Sequence, residues 1–129
     1  MVVLDFGGTH EVNGDAQIEA LLATRYDRGL NEFWFHHGTQ LYPALLIQAN
    51  GALARVHYFP EEEDHPGFQS MGPAPGLAPE GCTLFAMNTP TEAFSRPNDT
   101  VVSFSLALAA AKEFARSPKL PRCIEWFEL

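Results

Sequence analysis

The sequence predicts an α+β fold: an antiparallel β-sheet meander with two helices packed on it. Three observations carry this expectation. Two apolar segments flank Asn50-Gly51 within Tyr42–Phe59. Two stretches, 15–28 and 103–116, repeat apolar residues at helical spacing. Aromatic or alternating runs at 31–37, 82–87 and 123–127 supply further strands.

The Tyr42–Phe59 stretch organises the rest. Asn-Gly suits a two-residue type I′ turn, in which both central residues need a positive φ. Closing the hairpin there sets Ala49 opposite Ala52, Ile47 opposite Ala54, Leu45 opposite Val56 and Pro43 opposite Tyr58. All of these share one apolar face, because side chains alternate along a strand. The other face carries Leu46, Gln48, Leu53, Arg55, His57 and Phe59, a mixed set suited to half-exposure or to partial cover by another element. A one-residue slip would turn Gln48, Arg55 and His57 into the core, so the register reads as firmly specified.

In chain order, Val2 to Phe6 forms a short strand ended by Gly7-Gly8. Asn13 or Asp15 caps a helix over about residues 15–28, whose Ile18, Leu21, Leu22 and Tyr26 share a face and which Gly29 stops. Asn31 to His37 is a strand with Phe33 and Phe35 on one side and Trp34 and His36 on the other; Gly38-Thr39-Gln40 then turns into the hairpin. Pro60 to Pro79 is irregular apart from a brief strand at Phe68 to Met71, and it opens on Glu61-Glu62-Glu63-Asp64, the densest charge run in the chain. Such a long irregular segment is either functional or a variable connector. Cys82 to Met87 reads as a strand and Thr89 to Asp99 as irregular. Ser103 caps a second helix running through Arg116, with Leu106, Ala110 and Phe114 on one face and alanines that let it sit close to a sheet. Pro118 and Pro121 end it, and Cys123 to Phe127 alternates as a closing strand. No internal repeat or second domain is visible, so residues 1–129 read as one domain.

The chain has 129 residues, 46% of them apolar and ten of them phenylalanine, enough for one packed core. Neither a signal peptide nor an apolar run of about 20 residues is present. The expectation is a complete, soluble, cytoplasmic protein without a membrane partner. Cys82 and Cys123 are too few for a disulfide framework and fit a reduced state, as small core residues in strands, with a single bridge as the alternative. Sixteen acidic against eight basic residues give a net charge of −8. That surface repels nucleic acid and attracts a basic partner, although solubility alone also explains it.

The residues do not spell out an enzyme. His36 and His37 are adjacent on a strand and point to opposite faces, and His10, His57 and His65 show no metal-ligand spacing with one another. No nucleophile lies in a known catalytic setting, and Gly7-Gly8 lacks the rest of a phosphate loop. A solvated acidic run gives no reason for separated carboxylate pKa values. No catalytic residue, metal or cofactor is therefore expected. The residues instead fit a binding protein, with Phe59 and Phe68 flanking the acidic run as apolar anchors inside a charged rim, or else simply pinning the loop to the core.

Three stretches, ARVHYFPEEEDHPGFQS (54–70), VVSFSLALAAAKEF (101–114) and LPRCIEWFEL (120–129), carry a further signal. In order and spacing they resemble immunity protein family one of bacterial polymorphic toxin systems. In that family a strand ending in an aromatic pair leads to a Gly-aromatic-x-Ser element; a Val-Ser helix start, an acidic-Phe pair and a closing Pro…Trp strand follow. The matching positions are Tyr58 and Phe59, Gly67 to Ser70, Val102 and Ser103, Glu113 and Phe114, and Pro121 with Glu125 and Trp126. The resemblance covers about half the chain, mainly the second half. It implies a small α+β immunity protein that binds the toxin encoded beside it and blocks the active site. Members of this family often accompany nucleic-acid deaminase toxins. An acidic plug suits the basic cleft of such an enzyme. Charge and loop character then select Glu61, Glu62, Glu63, Asp64 and Phe68 as toxin contacts. Phe114, Trp126 and Ser103 are expected to hold the fold as core, core and N-cap. The alternatives are a small ligand- or metal-binding domain using histidines on the mixed sheet face, and an adaptor for another basic protein.

Overall fold

A computed structural model describes residues 1–61 and 64–129; Glu62 and Glu63 lie outside the described residues. Among the described residues, ten strands and two α-helices run in the order β1 (Val2–Asp5), β2 (Gly8–Glu11), α1 (Asp15–Leu22), β3 (Leu30–His36), β4 (Ala44–Asn50), β5 (Leu53–Phe59), β6 (Phe68–Ser70), β7 (Cys82–Met87), β8 (Thr89–Pro97), β9 (Val102–Ser103), α2 (Phe104–Arg116) and β10 (Trp126–Glu128). The main sheet is antiparallel in the order β10-β6-β5-β4-β3-β1-β2, with β9 paired to β5 beyond the reach of β6. β7 and β8 form a separate two-stranded ribbon. The fold is α+β, as expected.

The inner face of the main sheet is the apolar one read from the alternation. Val3, Phe33, Phe35, Leu45, Ile47, Ala49, Ala54, Val56 and Tyr58 form one cluster with Ile18 and Leu22 of α1 and with Ala107, Ala110, Ala111 and Phe114 of α2. Ala107, Ala110 and Ala111 of α2 are fully buried, which lets the helix axis approach the strands. Burying each large apolar side chain contributes about 1.5–3 kcal/mol relative to leaving it exposed. Ser103 caps α2, its Oγ accepting from Leu106 N at 3.3 Å. At the other end His37 Nε2 meets the Phe114 carbonyl at 2.8 Å, satisfying one of the last-turn acceptors. Lys112–Glu19 and Arg116–Asp15 ion pairs tie α2 to α1 across the surface.

Several elements differ from the sequence expectation. In the central hairpin Asn50 pairs with Leu53, Ala49 with Ala54, Ile47 with Val56 and Leu45 with Tyr58, so the register is displaced by two residues. The turn is Gly51-Ala52, with Gly51 at φ +55°. Asn50 stays in the strand because its Nδ2 donates to Leu84 O at 2.8 Å. A displacement by two leaves every side chain on its expected face. Helix α1 stops at Leu22, not near 28: the Arg25 guanidinium takes the Leu22 and Thr24 carbonyls, and Arg28 adopts a left-handed φ of 62° inside a short 3-10 turn at Asp27–Gly29. Neither Asn13 nor Asp15 caps it; Gly14 holds the cap position without a side-chain bond.

Gly7 and Gly8 do not end an isolated strand but lead into β2, which folds back on β1. Thr89–Pro97, read as irregular, is β8; its pairing skips from Thr89 to Ala93, so Pro90, Thr91 and Glu92 are accommodated in a bulge. The closing strand is confined to Trp126–Glu128, because its partner β6 offers only three residues. Both cysteines are exposed and free instead of small core residues: Cys82 starts β7 at the open end of the ribbon, and Cys123 lies in the turn before β10. Among the described residues no helix is long and apolar enough to cross a membrane.

Candidate functional site

The outer face of the main sheet is where the mixed residues collect. Register places Phe127, Gln69, His57, Leu46, Trp34 and Leu4 in one row across β10, β6, β5, β4, β3 and β1. At about 4.8 Å per strand the row spans roughly 24 Å. The ribbon covers one half of this face. Its β7 lies against β3 and β4, Asn88 N donates to Glu32 Oε1 at 3.2 Å, and beneath it Gln48 and Glu32 are buried. The half toward Phe59 and His36 stays open.

Aromatic rings fill the open half. His57 stacks on Phe59 (4.1 Å, 9°), Phe59 on Trp34 (5.4 Å, 24°) and Trp34 on His36 (6.3 Å, 5°). Ala44 separates Phe59 from His36 in register, and its small side chain leaves room for the Trp34 ring. Tyr42 packs edge-on against Phe59 and is 45% exposed, beside Leu41 at 69%. Rings stacked in a column present their electropositive edges outward.

The acidic loop joins this face at the same end of the sheet, between the end of β5 and the start of β6. Glu61 and Asp64 are exposed; the positions of Glu62 and Glu63 fall outside the described residues. The two phenylalanines that flank the run point to opposite faces. Phe59 lies in the outer column, whereas Phe68 packs against the inner cluster and stacks on His65 (5.0 Å, 14°). Histidines hold the returning arm of the loop. His57 Nε2 meets Pro66 O at 3.0 Å, Gly67 N donates to His65 Nδ1 at 2.8 Å, and His65 Nε2 then carries its proton toward Glu128 at 2.8 Å. Leu129 N also donates to Gly67 O at 2.9 Å, tying the loop to β10.

Of the other positions that carry the family resemblance, Tyr58 and Phe114 lie in the inner cluster and Trp126 packs against it, donating its indole N–H to Pro121 O at 2.7 Å. Ser70 is buried, accepting from Val56 N and donating to Thr100 O, which ties β6 to β5 and to the segment before α2. His36 and His37 point to opposite faces, the first into the aromatic column and the second to α2. Among the described residues no three His, Cys, Asp or Glu side chains are grouped to hold a metal ion.

Burial, opposed by the Pro66 bond and reinforced by the charge of Arg55, holds the His57 pKa below its usual 6.5. The unfolded chain therefore takes up the proton first as pH falls. His57 contributes stability fully above about pH 6.5, and that contribution is lost as pH drops toward its folded value. Denaturant melts at about pH 7 and pH 5 should show a larger loss for the parent chain than for His57→Gln. Equal losses would remove His57 from the acid response.

The sequence pointed to His57, Phe59 and Arg55 on this face but not to Arg96 or Asn88, which belong to the ribbon and reach the face only through its docking. The chain matches no protein-family model and no curated protein.

Proposed function

We propose that this chain is an immunity protein that binds a cognate bacterial toxin, in particular a nucleic-acid deaminase, and neutralises it by occluding its active site. The observation that supports this most is the junction at one end of the sheet. There an open aromatic column (Trp34, Phe59, Tyr42) meets the loop that carries the exposed Glu61 and Asp64. An apolar, aromatic centre with a charged rim is the composition of a tight protein interface. The acidic rim suits a basic cleft built for nucleic acid, and it speeds the encounter by long-range attraction. The protein supplies no chemistry of its own in this reading; it acts by covering.

The direct test is co-expression with the toxic C-terminal domain encoded immediately upstream, scoring survival and co-purification together. Survival with a stable complex supports the proposal. Death with a folded protein and no complex overturns it. Replacing Glu61, Glu62, Glu63 and Asp64 together by lysine should slow association at low salt by about tenfold or more while leaving the melting transition in place. Unchanged association kinetics would move the interface away from the loop.

A further inference from the structure

A recess on the outer face shares Trp34 and Phe59 with the aromatic column but adds a separate pair of charges. Where the ribbon meets the open half, this recess of about 360 Å³ is lined by Trp34, Leu46, Phe59, Met87 and two arginines, Arg55 and Arg96, with Glu32 and His57 at its sides. In a chain with sixteen acidic and only eight basic residues, two guanidiniums converge here and neither is ion-paired to a carboxylate among the described residues. Arg55 is held by three neutral oxygens: Thr100 Oγ1 at 3.0 Å, Gln48 Oε1 at 3.0 Å and Gln69 Oε1 at 3.3 Å. That uses three of its five donors. The Arg96 guanidinium lies 5.7 Å from the centre of the Phe94 ring, and its Nε is buried without a hydrogen-bond partner among the described residues.

Glu32 does not neutralise the pair. Its oxygens are taken by Gln48 Nε2 at 3.3 Å, Asn88 N at 3.2 Å and Trp34 Nε1 at 3.4 Å, and the Gln48 amide stands between it and Arg55. The recess thus holds two positive charges against one negative, and burial keeps His57 toward its neutral form. Two like charges without a carboxylate partner oppose each other, and an oxyanion between the guanidiniums relieves that repulsion through charge-assisted hydrogen bonds. The size falls at the low end of the roughly 300–1,000 Å³ typical of small-molecule pockets.

We propose that the Arg55–Arg96 recess is a binding site for a small organic anion. Its carboxylate or phosphoryl head lies between the guanidiniums, and its flat apolar body rests on Trp34, Leu46 and Phe59. The test is a titration of the intact ¹⁵N-labelled chain with benzoate, phenyl phosphate and the uncharged benzamide, following the arginine Nε–H and Trp34 indole resonances. The expected result is saturable shifts at Arg55, Arg96 and Trp34 with the anions only; whichever anion binds tighter identifies the head group. R96Q should weaken that binding about tenfold or more with the backbone amide spectrum otherwise intact, and R96K, which keeps the charge and loses the fork, should weaken it less. No saturable shift in the parent chain, equal shifts with benzamide, or full binding by R96Q would each overturn the site. None of these outcomes depends on whether the chain neutralises a toxin.

Discussion

Phe114→Ala is expected to destabilise the fold by about 3–5 kcal/mol, the range for removing a fully buried phenylalanine. Phe114 has no exposed surface and joins three parts of the molecule. Its ring meets Tyr58 of β5 edge-on (6.3 Å, 71°) and the His37 ring at 5.0 Å, while its own carbonyl receives His37 Nε2. Truncation leaves a cavity between α2 and the sheet that the buried alanines beside it cannot fill. A domain of this size is stable by about 5–15 kcal/mol, so the loss is a large fraction of the total. Urea unfolding should show a lower midpoint with an unchanged slope, and Phe114→Leu should recover part of the difference. A loss under about 1 kcal/mol would mean that α2 repacks freely, contrary to the close fit described.

Gly67→Ala is expected to cost about 2–3 kcal/mol and to misplace the acidic loop. Gly67 sits at φ +102°, where an L side chain is strained, and a Cβ there would lie 2.6 Å from Tyr58 O and 2.6 Å from His57 Nε2. One of these neighbours is backbone within the sheet and cannot move aside cheaply. The chain must instead shift, breaking the Gly67 N bond to His65, the His57 bond to Pro66 and the Leu129 bond to Gly67 O. Denaturation measures the stability term, and the His57 and His65 ring resonances report the loop directly. A variant with parent stability and unshifted histidine signals would show that the turn absorbs the methyl group, and would detach the glycine of the motif from loop placement.

The faces of the sheet were legible in the sequence because alternation has a period of two, and a period fixes parity. It does not fix register: pairing Ala49 with Ala52 or with Ala54 buries the same side chains, and the bonds that accompany the observed register are tertiary, from Asn50 to Leu84, from Gly51 to Gly29 and from Phe104 to Ala52. Strand β2, Gly-Thr-His-Glu, carries no apolar residue to betray it, and β8 hides its pairing behind Pro90 and Pro97. Tyr26 keeps the helical spacing of α1 although the helix has already ended at Leu22 and Tyr26 itself is extended. At the candidate site the acidic run was visible as charge and His57 as a polar interruption of a strand. Arg96 was not, because nothing local says which sheet a separate ribbon will cover.

That ribbon gives the molecule a property that reaches beyond this one sequence. The apolar cluster that holds the helices on the sheet contains no residue of β7 or β8, and the named bonds from the ribbon to the outer face run to polar groups, Asn50 and Glu32. The scaffold of helices and main sheet therefore draws none of its apolar cluster from the ribbon, and exposed ribbon positions such as Glu92 and Phe94 can change without touching that cluster.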